Sequence, residues 1–385
     1  MKKVLAILLA VLMVIPAFAM AENVVKIGVF EPASGESGAG GKQEMLGMQY
    51  ANYLQPTVDI AGTTYDVKLV YADNGSDTSK APTAAQQLVS EGVSVVLGSY
   101  GSGVSMAGSP YFADAGIPAI GVTCTNSNVT LGNTHYFRIC FLDPFQGTVL
   151  ASFAYNTLGA RNAYCVMKLG EEYDTFLCNN FQKAFQALGG TILAADSFPD
   201  GTSDFTSYLN NAIALGADVF FSPVSIAYST QIINQAATLG VTFPLLGGDT
   251  LDNNKVVESA KGSNLKLYVS TFYQEGGNVE FDNGFKAWLN ANPEMLTNNG
   301  GNDMVAAVSA MGYDAYFVAL EALKAAGSTD SKAVNEALWK VTYTGVSGDI
   351  AFDSVNGDAI RDVAYIKTAN TETGAWDFVT VQKAE

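Results

Sequence analysis

The chain has 385 residues, enough for two domains at roughly 150 residues each, and its 48% hydrophobic and 15% charged residues exclude both a disordered chain and a disulfide miniature. Acidic residues outnumber basic ones by 37 to 20, a net charge of −17. No basic patch interrupts that surface, which repels phosphate backbones and anionic lipid, so neither nucleic acid nor a membrane surface is expected as a partner.

The first 21 residues read as a secretory signal: Lys2 and Lys3, an apolar run from Val4 to Ile15, and small residues at Ala19-Met20-Ala21. Cleavage is expected after Ala21. The run is shorter than the about 20 apolar residues of a membrane-spanning helix, and no second run follows. With no Cys at the cleavage site to carry a lipid, the expected address is the periplasm, as a soluble protein. Loss of the two lysines leaves 18 basic against 37 acidic residues, a net −19.

Beyond the signal, short apolar β-rich runs alternate with amphipathic stretches. Strands are expected at Val24 to Phe30, Val67 to Tyr71, Val93 to Leu97, Ala119 to Val122, Ala163 to Met167, Thr191 to Ala195, Val219 to Phe221, Pro244 to Leu246 and Leu265 to Val269. Between them Leu177, Phe181, Ala184, Phe185 and Leu188 mark one helix face, stopped by Gly189-Gly190; Tyr313, Tyr316, Phe317, Leu320 and Leu323 mark another before Gly327. This alternation implies right-handed βαβ crossovers and mostly parallel sheets covered by helices on both faces. Nine or more strands exceed one comfortable core, so two doubly wound sheets are expected, with His135 to Pro144 crossing between them and a helix starting at Asp143-Pro144. The tail, with turn signals at Asn356-Gly357 and Gly374, should add hairpin edges. No flexible linker separates the halves, which fits several short crossings and a hinge.

Several motifs come close to a known chemistry and miss. In SGESGAGGK (Ser34 to Lys42) a phosphate loop would need Gly where Glu36 stands and Ser or Thr where Gln43 stands. A nucleophile at Ser105 in GVSMA would have to rely on the single histidine, His135. Asp349, Asp353 and Asp358 do not fit a calcium loop. Four cysteines without CxxC spacing exclude a zinc site; they are either buried thiols or, if bridged, paired as Cys124 with Cys140. No cofactor is expected.

What remains is a polar constellation at the carboxyl ends of strands, where open α/β sheets bind ligands. The segment VSVVLGSYGSGVSMAG runs from strand through a glycine-rich turn into a helix, aiming backbone N–H groups and the Ser102 hydroxyl at an anion. The next strand ends in Thr123 and Thr125, flanking Cys124. FPLLGGDTL ends in Asp249, which when buried needs a cation that a ligand ammonium would supply. Each hydroxyl, and Asp249, could instead cap a helix. Taken together they describe a zwitterion site, and a free α-amino acid is the simplest occupant.

The segments Lys26 to Ala51, Tyr71 to Gly103, GIPAIGVTCTNS, FRICFLDPFQG, GEEYDTF, DFTSYLNNAIALGADVFF, QAATLGVTFPLLGGD and GYDAYFVALEAL resemble, in order and spacing, the type I periplasmic solute-binding proteins of ABC importers, the leucine/isoleucine/valine group in particular. The resemblance implies two Rossmann-like lobes joined by a three-crossing hinge, with lobe I at 22–143 and 274–359 and lobe II at 144–273 and 360–385. It implies that Ser102 and Thr125 hold a ligand carboxylate, helped by the backbone of Tyr100 and Thr123, and that Asp249 takes the ammonium. Tyr173 and Ser225 would face the ligand from lobe II, and Phe272 or Tyr273 would form an apolar wall. Gly40 stands where the branched-chain binders carry a Tyr, so the side-chain pocket is expected to suit a branched-chain, other hydrophobic or aromatic amino acid. The implied protein is a monomer and not an enzyme, and delivers its ligand to membrane permease subunits. Two other readings stand beside it: a sensor of the same fold for an amide, urea or aromatic solute, and a secreted α/β hydrolase using Ser105.

Overall fold

The computed structural model describes residues 23–383, so the signal segment lies outside the described residues. In chain order the strands are β1 (Val24–Glu31), β2 (Thr57–Ile60), β3 (Thr63–Asp73), β4 (Val95–Leu97), β5 (Ala119–Gly121), β6 (Tyr136–Arg138), β7 (Asn162–Lys168), β8 (Thr191–Phe198), β9 (Val219–Phe221), β10 (Leu245–Gly247), β11 (Leu267–Thr271), β12 (Thr342–Gly345), β13 (Gly348–Ala351), β14 (Ala364–Asn370) and β15 (Ala375–Gln382). They form a six-stranded sheet, β2-β3-β1-β4-β5-β6, a seven-stranded sheet, β15-β14-β11-β10-β9-β7-β8, and a small hairpin, β12-β13. All pairs from β3 through β6 and from β8 through β11 are parallel, and antiparallel strands occur only at the edges. β4, β5, β9 and β10 are wholly buried, which is why they read as unbroken apolar runs.

Each sheet is wrapped on both faces. On the first, Gly38–Leu54 packs with Ala307–Ala326 on one side while Ala81–Glu91 packs with Ser102–Ala115 on the other. On the second, Asp143–Ser152 pairs with Glu172–Ala187, and Thr206–Leu215 with Ile226–Leu239. The chain passes between lobes three times: after β6, after β11 and between β13 and β14. Gly47 and Gly312 let the first helix pair cross with backbones in contact, since a Cβ on Gly47 would lie 1.9 Å from the Ser309 carbonyl oxygen and one on Gly312 2.2 Å from that of Glu44. Glu44, on the same helix as Gly47, is fully buried and accepts from Thr123 after β5.

All nine strand expectations fall on observed strands. β2 and β12 were not expected; each is a four-residue edge strand, too short for a readable alternation. A Cys124–Cys140 bridge is absent. All four cysteines are buried free thiols, and the Cys124 sulfur folds back over its own strand, where a Cβ on Gly121 would meet it at 2.5 Å. Among the described residues no helix is long and apolar enough to cross a membrane, and no group of His, Cys, Asp and Glu could hold a metal ion.

Candidate ligand-binding site

Strand order reverses direction around β1 and β4 in the first sheet and around β7 and β9 in the second, so the loops following these four strands diverge and leave a crevice. One cavity between the lobes is lined from all four loops: Pro32, Glu36 and Ser37 after β1, Tyr100 and Gly101 after β4, Lys168, Glu171 and Tyr173 after β7, and Ser225 after β9, with Thr250 added from the loop after β10. The lobes touch across it. The Tyr100 hydroxyl donates to the Thr250 carbonyl at 3.2 Å, the Asn126 amide to the Glu172 carbonyl at 3.2 Å, and Lys168 Nζ lies 2.6 Å from Glu36 Oε1.

On lobe I the helix Ser102–Ala115 begins after Gly101, and Ser102 does not cap it; its oxygen accepts the Asn126 N–H at 3.2 Å, leaving its own proton free to donate. Thr123 Oγ1 donates to Glu44 Oε2 at 2.5 Å. The Thr125 hydroxyl and the Asp143 carboxyl lie side by side, fully buried, and neither has any further hydrogen-bond partner. Burial, reinforced by the nearby Asp249, pushes the Asp143 carboxyl up to about 8 against the opposing pull of Thr125 and Arg138. Arg138 organises this loop from behind. Its guanidinium donates to the carbonyls of Cys124 (2.8 Å) and Asn126 (2.5 Å) and to Thr130 Oγ1 (2.9 Å), and pairs with Asp358 at 2.6 Å.

On lobe II, Asp249 is 2% exposed and opens a short 3-10 turn, while the helix Asn254–Ser259 is capped by Asn253, so the capping alternative for Asp249 falls. Tyr173 Oη and Gln146 Nε2 both donate to Asp249 Oδ1 at 2.9 Å. Burial lifts its carboxyl to about 6, against those two donors. The adjacent Asp252 is already neutralised by Lys367 at 2.9 Å, whereas no cation pairs with Asp249 among the described residues. Ser225 occupies the N-cap position of Ile226–Leu239, yet its buried hydroxyl makes no cap bond and has no partner.

The helix Asp143–Ser152 ties the two poles together. Asp143 meets Thr125, and Gln146, one turn further on, holds Asp249. Phe272 stands apart: its ring packs at a tilt on Phe141 with centroids 4.3 Å apart and lines a separate cavity with Ser347 and Arg361, while the aromatics lining the interlobe cavity are Tyr100 and Tyr173. Tyr273 is held by Asp282 at 2.8 Å. Ser105 is wholly buried and donates to the Gly101 carbonyl at 2.7 Å, while His135 contacts Thr134 Oγ1. Sequence reasoning did not single out Arg138, Asp143 and Gln146, having read FRICFLDPFQG as a crossing, a helix start and part of the family resemblance. Three polar residues in an otherwise apolar segment were the available signal.

Two α/β lobes enclosing a polar cleft at paired switch points define a two-lobed solute-binding protein. The chain belongs to the periplasmic binding protein family, whose sequence profile matches residues 24–373, and within it to the type I proteins of the branched-chain amino acid group. A leucine-binding protein, LivK, of Thermotoga maritima is 31% identical, with a TM-score of 0.82 over 94% of this chain and 99% of its own. The branched-chain amino acid transporter substrate-binding protein LivJ of Streptococcus pneumoniae, solved with isoleucine, is 25% identical with a TM-score of 0.79, covering 92% and 99%. A solute-binding protein from R. palustris in complex with 4-hydroxybenzoate shares the fold at 19% identity, with a TM-score of 0.77 over 94% and 97%.

Proposed function

We propose that this protein captures a free α-amino acid with a hydrophobic or aromatic side chain between its lobes in the periplasm and hands it to the membrane subunits of an ABC importer. The carrying observation is Asp249: a buried carboxylate directly behind the cavity-lining Tyr173, held by two neutral donors and lacking a cation. An unpaired buried charge is costly, and a ligand ammonium relieves that cost. At the other pole Ser102 and Thr125 offer hydroxyl protons and the start of the helix Ser102–Ala115 offers N–H groups, which suits a carboxylate.

Capture then proceeds by population shift. The solute docks on lobe I through its carboxylate, and lobe II brings Asp249 and Tyr173 over the ammonium. Contacts made only when the lobes meet, Tyr100 to Thr250 and Lys168 to Glu36, hold the closed form. The name of LivK and the isoleucine in LivJ support an aliphatic ligand. Tyr100, Tyr173 and the small Ser225 line the same cavity, which supports a ring as well. Calorimetry of unfolded and refolded protein, freed of carried-over solute, against the twenty amino acids tests the reading. At least one should bind; heat from none of them refutes it.

A further inference from the structure

Beneath the cleft floor, at the ends of β1, β4 and β5, lies a pair of acids that no ligand contact explains. Glu31 closes β1 and Glu44 projects from the helix Gly38–Leu54; they are 1% and 0% exposed. Their carboxyls are close enough that each acts on the other's proton affinity. Each commits one oxygen to a different loop: Glu31 Oε2 accepts the Tyr100 N–H at 2.8 Å, and Glu44 Oε2 accepts the Thr123 hydroxyl at 2.5 Å. The other two oxygens, Glu31 Oε1 and Glu44 Oε1, are buried without a partner if both groups are ionised. Glu31 Oε1 also lies against Gly98, where a Cβ would approach it to 2.5 Å, so the backbone of that loop closes over the pair.

One proton placed between Glu31 and Glu44 satisfies both orphaned oxygens and removes one of two touching buried charges. We propose that Glu31 and Glu44 share a single proton and act as positioning residues that clamp the Tyr100–Ser102 loop and the Thr123–Thr125 loop at the spacing a ligand carboxylate needs. This rests on the amino-acid reading for what the loops hold, and on the structure alone for the shared proton.

The groups facing the pair reinforce proton retention. Cys124 faces it from the loop after β5, Tyr136 from β6, Tyr100 from the loop after β4, and Asp249 from lobe II. None of these brings a positive charge, and Arg138 spends its donors on Cys124, Asn126, Thr130 and Asp358. Burial, the first cause for both acids, raises both carboxyls, Glu44 to about 7. Losing the shared proton as pH rises sets two carboxylates against each other and loosens the clamp, so ligand affinity falls on the alkaline side.

Two measurements on the mature protein test this. Infrared difference spectra of ligand-free protein, wild type minus Glu31→Gln, should show a protonated buried carboxylic acid that disappears as pH rises; the bands of the buried Asp143 and Asp249 carboxyls are common to both proteins and cancel. Titration with L-leucine should show affinity falling by up to about tenfold per pH unit through that transition, the slope of one linked proton. In Glu31→Gln the amide oxygen still accepts from Tyr100 while the amide N–H donates to Glu44 at every pH, so this component of the slope vanishes. Asp143 and the ligand ammonium titrate equally in both proteins and cancel in the comparison. Glu44→Gln makes the same substitution from the other side, should Glu31→Gln fold poorly, and Glu31→Ala should weaken binding at every pH. Difference spectra that lack this band for both glutamine variants, or pH slopes identical to wild type, overturn the shared proton. If L-leucine binds to neither protein, the ligand reading is what suffers and the infrared arm still decides the pair.

Discussion

The ring of Tyr100 lies directly on Gly40: a Cβ built at that glycine would sit 2.4 Å from Tyr100 Cζ and 2.7 Å from its hydroxyl oxygen. The Tyr100 ring thus fills the space over this glycine, and its hydroxyl reaches across to lobe II at Thr250. Gly40→Ala should displace that ring, costing about 1–3 kcal/mol in stability, and should weaken ligand binding. A denaturant curve and a ligand titration on the same preparation check both. Unchanged affinity would mean that the Tyr100 ring does not shape the pocket.

The ion pair between Lys168 and Glu36 joins the lobes across the cavity mouth, with Glu36 30% exposed. Solvent screening limits its worth, so Lys168→Met should weaken ligand affinity by only roughly two- to fivefold, chiefly through faster release. The wild-type release rate should also rise with salt while that of the variant stays flat. Stopped-flow dissociation at two ionic strengths separates this from a general loss of stability.

Asp249, Glu44 and Asp143 are carried in the folded protein at about 6, about 7 and about 8, above their ordinary values of 3.8, 4.5 and 3.8. A carboxyl whose folded value is raised holds a proton that the unfolded chain has released, so stability falls as pH rises between the two values. The ligand-free protein should therefore lose stability steadily from about pH 4 to about pH 8. Asp143→Asn should flatten the upper part of that decline and melt higher than wild type near pH 8. Thermal unfolding across the range measures it, and stability rising toward pH 8 would show that these carboxyls are not buried in solution.

Arg138 and Asp358 form a buried pair that ties the returning segment between β13 and β14 to the loop carrying Thr125. Asp358→Ala leaves a buried guanidinium without its counter-charge and should cost about 3–5 kcal/mol. Ligand affinity should fall with it, because the carbonyls of Cys124 and Asn126 are held by the same guanidinium. Chemical denaturation and titration on the folded fraction give the two numbers.

The parallel sheets were legible because buried strands such as β4 and β9 are uniformly apolar, and the helix faces at Leu177 to Leu188 and Tyr313 to Leu323 carry a clean period. The positions of Ser102, Thr125 and Asp249 were legible as strand ends. Their supports were not. Glu31 meets Glu44, and Arg138 meets Asp358 220 residues away, through tertiary contacts with no local pattern. Phe272 shows the same limit from the other side: an aromatic at a strand end packs as readily on a neighbouring crossing, here Phe141, as on a ligand, and the sequence does not say which.

The most direct measurement compares an amino acid that binds with its analogue lacking the α-amine, on wild-type protein and on Asp249→Asn. Wild type should bind the amino acid at least about a hundredfold more tightly than the analogue, as expected where a buried charge loses its partner, and Asp249→Asn should erase most of that difference. Equal affinity of wild type for both compounds, or full discrimination retained by Asp249→Asn, would contradict a cleft in which Asp249 receives a ligand ammonium.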